Sequence, residues 1–137
     1  MRRRPTPAFE AFARAAVDHG IDLIHGHSAH LFQGVERYRQ GLVLYDTGNI
    51  LDDFPVDPDF RNDWSFVFLV EADATGQHRL RLVPVRLGYG RVDLATGAEF
   101  EAIVERMRAL CAALGTPVVR TAEGLEVRLE GENDAGK

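Results

Sequence analysis

Residues 25–30 read His25-Gly26-His27-Ser28-Ala29-His30, placing three of the chain's five histidines within six positions. Imidazole nitrogen is a good ligand for Mn, Fe, Zn and similar divalent ions, and a loop that leaves a rigid strand can aim several such ligands at one point. Taken singly, each histidine would read as a polar loop residue. Three in six point to a metal or catalytic role. His27 and His30 are the candidate metal ligands, and Gly26 lets the backbone approach closely between them and the strand. His25 is open to three roles: a third ligand, a group that orients a ligand, or an acid–base catalyst beside a bound oxyanion.

A hydrolytic centre with two ions also needs bridging carboxylates. The nearest supply is the stretch from Asp46 to Arg61, which holds Asp46, Gly48, Asn49, Asp52 and Asp53 and has the glycine, proline and aspartate content of a long loop. If the hairpin folds back, Asp46, Asn49, Asp52 and Asp53 come near the histidine loop. An aspartate-rich loop is also a common solvated turn. Cys111 is the only cysteine, so an intrachain disulfide and a thiolate zinc site are both excluded.

These residues need a scaffold. Thr6-Pro7 reads as an N-cap followed by proline in the first turn, and Phe9, Phe12, Ala13, Ala16 and Val17 recur at helical spacing up to Gly20. Ile21-Asp22-Leu23-Ile24 follows at once as a short, buried strand that delivers the histidines. Val35–Arg39 and Leu42–Tyr45 flank Gln40-Gly41 as a hairpin in the same sheet. Trp64–Val70 and His78–Leu87 form a second hairpin around Ala74-Thr75-Gly76, the latter strand with a mixed burial pattern. Thr96-Gly97-Ala98-Glu99 matches a capping box ahead of a helix carrying Phe100, Ile103, Val104, Met107, Leu110, Cys111 and Leu114. Residues 117–120 and 125–129 make a last hairpin, and 131–137 read as a disordered tail. The expected class is α+β, one domain or part of one over residues 1–130, rich in antiparallel hairpins.

The 137 residues are 45% hydrophobic, enough for one core, and carry 16 basic against 21 acidic side chains for a net charge of −5. That balance argues against a general nucleic-acid binder. Arg2-Arg3-Arg4 reads as a solvated terminal patch. With no apolar run of membrane-spanning length and no apolar stretch after Met1, the chain as given reads as cytoplasmic.

The order Ile21–His30, Gln33, Val35-Glu36-Arg37-Tyr38, Gly41 and Leu44-Tyr45-Asp46-Thr47-Gly48-Asn49 resembles the C-terminal part of the poly-gamma-glutamate capsule biosynthesis proteins of the CapA type. That family reads as a strand, Gly-His-x-x-His, a Gln with a Val-Glu-x-Tyr strand, and a Tyr-x-x-Gly-Asn turn. Asp63-Trp64-Ser65-Phe66 and Leu82–Arg86 resemble its later strands, so the likeness covers most of residues 5–130 and is most specific over 21–50. The resemblance implies a calcineurin-like metallophosphoesterase fold, two sheets flanked by helices with a divalent metal at the strand ends. It implies His27 and His30 as ligands, Gly48-Asn49 as the turn beside the site, and a substrate of the polyglutamate type or another small molecule. The Asp-x-His, Gly-Asp and Gly-Asn-His motifs of that superfamily are expected outside this chain, so hydrolysis would need a missing N-terminal portion. The alternative expectation is a non-catalytic binding or self-assembly module, a homo-oligomer in which an exposed sheet edge pairs with another copy.

Overall fold

The computed structural model describes residues 1–128, except for the side chains of Gln77 and His78. Helix α1 (Pro7–Asp18) starts as its sequence dictates. The Thr6 hydroxyl accepts from the Phe9 amide at 3.1 Å, and proline fills the first turn. It is followed by β1 (Leu23–His25), β2 (Val35–Tyr38), β3 (Gly41–Leu44), β4 (Trp64–Asp73), β5 (Gly76–Gly88) and β6 (Arg91–Leu94). Helix α2 (Gly97–Ala113) and strands β7 (Val119–Arg120) and β8 (Leu125–Arg128) complete the order. The class is α+β, as the element pattern predicts. The tail expected at 131–137 and Leu129 of the last hairpin lie outside the described residues.

Two sheets form. One has the order β1-β3-β2, with β1 parallel and β2 antiparallel to β3; the other has the order β4-β5-β8-β7, with β6 paired to β5. All three predicted hairpins are present. The main core gathers Val35, Leu42 and Leu44 from the first sheet, Phe66, Leu80, Leu82, Leu125 and Val127 from the second, and Ile103, Val104, Met107 and Cys111 from α2. A smaller cluster joins Ala13 and Val17, one turn apart on α1, to Val43 of β3. Helix α1 therefore covers one side of the first sheet while the main core fills the other. Burial within β5 is mixed, as expected: Leu80 and Leu82 are buried, and beyond Pro84 both Val85 and Leu87 are buried as well.

Two expectations are corrected. Ile21–Ile24 is not a buried strand: Ile21 and Leu23 are exposed, because β1 is an outer strand paired only with β3 among the described residues. The capping box does not form either. Thr96 makes no side-chain cap bond, and Glu99 accepts instead from the Trp64 indole N–H at 2.9 Å and from Arg61 at 3.1 Å. The tertiary ion pair and indole bond compete with the local cap and win.

Candidate functional site

The histidine loop leaves β1 and is closed by backbone bonds on both sides. Gly26 N–H donates to Leu44 C=O at 2.8 Å, Gln33 N–H donates to Asp46 C=O at 2.9 Å, and Phe32 bridges Thr47. The closure demands glycine. A Cβ on Gly26 would stand 2.1 Å from the Tyr45 carbonyl oxygen, and one on Gly48, at φ +71°, would stand 2.8 Å from the Phe32 nitrogen.

Asp46 is the clamp between loop and turn. It is buried, and its two carboxylate oxygens accept from the Ala29 amide at 2.8 Å and the Gly48 amide at 2.9 Å. A carboxylate held by backbone amides braces the loop electrostatically, since each bond is charge-assisted. Between the closures, Ser28 (φ 93°) and His30 (φ 62°) both occupy left-handed backbone that side chains with a Cβ adopt at a cost. Strain of this kind persists only where the surroundings impose it, and here the Asp46 clamp holds Ala29 between the two strained residues.

The loop aims its three exposed histidines in different directions. His25 Nε2 lies 2.9 Å from Thr47 Oγ1, in a cleft of about 360 Å3 between β1 and β4 with Leu44, Phe66 and Phe68. His27 Nδ1 lies 2.7 Å from Ser28 Oγ and lines a cavity of about 290 Å3 with Arg2, Gln33 and Tyr45. A hydroxyl can donate or accept, so the protein leaves the His27 tautomer open.

His30 is different. Asn49 Nδ2 donates to an Asp52 carboxylate oxygen, and Asn49 Oδ1 lies 3.2 Å from His30 Nδ1. A carboxylate only accepts, so the amide nitrogen must face Asp52 and the amide oxygen must face His30. In the neutral ring this places the proton on Nδ1 and a lone pair on Nε2. The ring also packs edge-on to Phe54 at 5.7 Å between centroids.

The structure places Asp46, Gly48 and Asn49 against the histidine loop, of which Gly26 is part. Asp53 goes elsewhere, lining a cavity of about 370 Å3 with Asp63, Arg86 and Tyr89. Among the described residues, no three His, Cys, Asp or Glu side chains come together as a metal-holding group. The imidazole nitrogens seen here are an incomplete donor set for a metal ion, with no third ligand beside them among the described residues. Sequence reasoning missed Thr47 and Ser28, whose hydroxyls meet two of the histidines. It also missed the network behind them, in which buried Glu36 accepts from the Tyr45 hydroxyl at 2.6 Å and from Arg14 at 2.8 Å. Burial, then the bond to Glu36, holds the Tyr45 hydroxyl well above its ordinary pKa. The signal for that network was the Val-Glu-x-Tyr pattern, whose glutamate sits at a buried strand position.

No described helix is long and apolar enough to cross a membrane. Residues 1–54 match the sequence family described as bacterial capsule synthesis protein PGA_cap. Proteins described as probable polyglutamine synthesis accessory proteins, from two strains of Mycobacterium tuberculosis, are each 28% identical over 124 residues, covering 87% of this chain and 33% of their own length. The capsule biosynthesis protein CapA of Bacillus anthracis is 44% identical over 50 residues, covering 36% of this chain and 12% of its own. The chain spans about a third of the length of the curated relatives it matches over most of its residues. By these matches the chain is similar to CapA-type capsule synthesis proteins, with the family match confined to residues 1–54.

Proposed function

We propose that this chain serves capsule or polyglutamate synthesis, and that its histidine loop supplies nitrogen donors to a divalent metal site completed by residues beyond it. The carrying observation is the Asp52–Asn49–His30 relay, which orients the His30 ring so that Nε2 keeps its lone pair. Histidines that bind metals characteristically have their other ring nitrogen fixed in this way. The family match of residues 1–54 and the names of the longer relatives supply the biological setting.

Within this reading His30 is the donor fixed in advance and His27 the second donor. Asp46 keeps both on one braced loop. A bound divalent ion would supply Lewis acidity. His25, at the mouth of its own cleft and hydrogen-bonded to Thr47, is the acid–base candidate. Equilibrium dialysis of Zn2+ or Mn2+ against the chain tests the donor assignment. Two imidazoles give weak binding that His27→Ala and His30→Ala each abolish and His25→Ala spares; equal uptake by all four proteins would overturn it.

A second reading is favoured by a separate observation. Among the described residues, strands β1 and β4 are both outer strands of their sheets; exposed Leu23 and Val67 line the cleft that holds His25, and exposed Leu69 lies further along β4. Open strand edges with apolar neighbours are surfaces that further polypeptide covers. On this reading the chain is an assembly module. Light scattering that finds only monomer, together with no binding of a hydrophobic dye, would remove it.

A further inference from the structure

Strand β6 is paired on one side only. Among the described residues its partner is β5, in a register that sets Leu94 against Val85, Asp93 against Arg86, Val92 against Leu87 and Arg91 against Gly88. Just beyond that ladder the Ala95 amide donates to the Pro84 carbonyl at 3.1 Å. Bonded and unbonded pairs alternate along an antiparallel ladder, so Asp93 and Arg91 also turn their backbone groups toward β5. The N–H and C=O groups of Val92 and Leu94 therefore face outward, away from the sheet.

The side chains of this edge are as open as its backbone. All four β6 residues are exposed, Leu94 by 69%, and Tyr89 at the tip of the β5–β6 hairpin is exposed by 84%. An open edge flanked by exposed apolar side chains is a surface that another polypeptide covers. The charges say which one. Arg91 and Asp93 lie on one face of the strand and pair with each other at 2.9 Å, yet both side chains stay more than half exposed. Charges on an edge normally keep foreign strands away. Here their signs are opposite on the two sides of Val92, so the strand read backwards is its own complement.

We propose that β6 is a self-association edge, at which two copies of this chain pair β6 with β6, antiparallel about a two-fold axis at Val92, and join their larger sheets into one. At the axis the two Val92 residues exchange both of their outward backbone bonds. On either side Arg91 of one copy stands opposite Asp93 of the other, the opposite-charge arrangement that favours a cross-strand pair. The ladder ends at Gly90, whose N–H is already given to the Asp52 carbonyl at 3.3 Å. The same surface patch serves both copies, as a two-fold contact requires. This edge uses neither the histidine loop nor the β1–β4 cleft of the assembly reading above.

Sedimentation equilibrium over a range of chain concentrations tests this. The wild type dimerises, and raising the salt concentration weakens the dimer. Arg91→Asp and Asp93→Arg each place like charges opposite one another twice, and each weakens dimerisation by about tenfold or more. An equimolar mixture of the two variants restores it, because an all-acidic β6 then meets an all-basic one. Val92→Cys, mildly oxidised, gives a disulfide-linked dimer, since residues facing each other in a bonded pair stand about 5.5 Å apart at Cα, within disulfide reach. Leu23→Lys, on the β1–β4 cleft, leaves the dimer intact, so the two surfaces are told apart. A wild type that stays monomeric, single charge variants that dimerise undiminished, a mixture that fails to restore the dimer, or a dimer lost in Leu23→Lys would overturn the proposal.

Discussion

His30 and Asn49, nineteen residues apart, meet at 3.2 Å through Nδ1 and Oδ1, and the amide is turned by its own bond to Asp52. The relationship fixes a proton. Asn49→Leu removes the acceptor and leaves His30 free to exchange between tautomers. Nitrogen NMR of the imidazoles reads this directly: the wild-type His30 in its neutral state shows the Nδ1–H form, and the variant shows a mixture dominated by Nε2–H, the form favoured by free imidazole side chains. An unchanged His30 spectrum in Asn49→Leu would contradict the relay.

Asp46 holds two backbone amides, one from the histidine loop and one from the turn. Asp46→Ala leaves both donors without their acceptor at a buried position, and a cost of about 2–4 kcal/mol follows from two such losses. Asp46→Asn keeps one acceptor oxygen and costs about half as much. Chemical denaturation measures both. Hydrogen exchange at Ala29 and Gly48 then rises in either variant while exchange in α2 does not.

Gly26→Ala forces a methyl group against the Tyr45 carbonyl, and Gly48→Ala combines a left-handed φ with a contact on Phe32. Both lose stability by about 2–4 kcal/mol, since the close atoms are backbone and cannot swing away. A melting temperature within a degree of wild type for Gly26→Ala would show that the loop is not closed as described.

Much of this fold was legible because its signals are local. Thr6-Pro7 and the Ala13–Val17 spacing mark α1, and Gln40-Gly41 and Ala74-Thr75-Gly76 mark two of the hairpins, each set by the conformational freedom of one or two residues. The site was legible only as a cluster. That three histidines share six residues is a fact of sequence, but their directions depend on positive φ at Ser28 and His30, which the distant Asp46 carboxylate helps impose. Exposure of Leu23 was hidden for a related reason: burial of a strand depends on which neighbours it finds, and among the described residues β1 finds only β3. Glu99 read as a cap because capping is local, while its partners Arg61 and Trp64 lie more than thirty residues upstream.

Cys111 lies wholly within the core, and burial pushes its thiol up to about 11, with the Val35 amide bond at 3.3 Å opposing the shift in part. Its folded pKa is raised, so its contribution is fully present below the unfolded value near 9 and is lost as pH rises toward 11. The shift corresponds to roughly 2 kcal/mol across that window. Denaturation curves from pH 8 to 11 therefore fall more steeply for the wild type than for Cys111→Ala, and parallel curves would contradict the burial argument.

The proposal is that His27 and His30, rather than His25, supply nitrogen donors to a divalent site that residues beyond this chain complete. Titrating Zn2+ into isotopically labelled chain and following the ring nitrogens tests it most directly. The account predicts that the His30 Nε2 signal and one ring nitrogen of His27 shift with increasing Zn2+ while His25 stays in place. Shifts spread equally over all the histidines, or a His30 that responds through Nδ1, would contradict it.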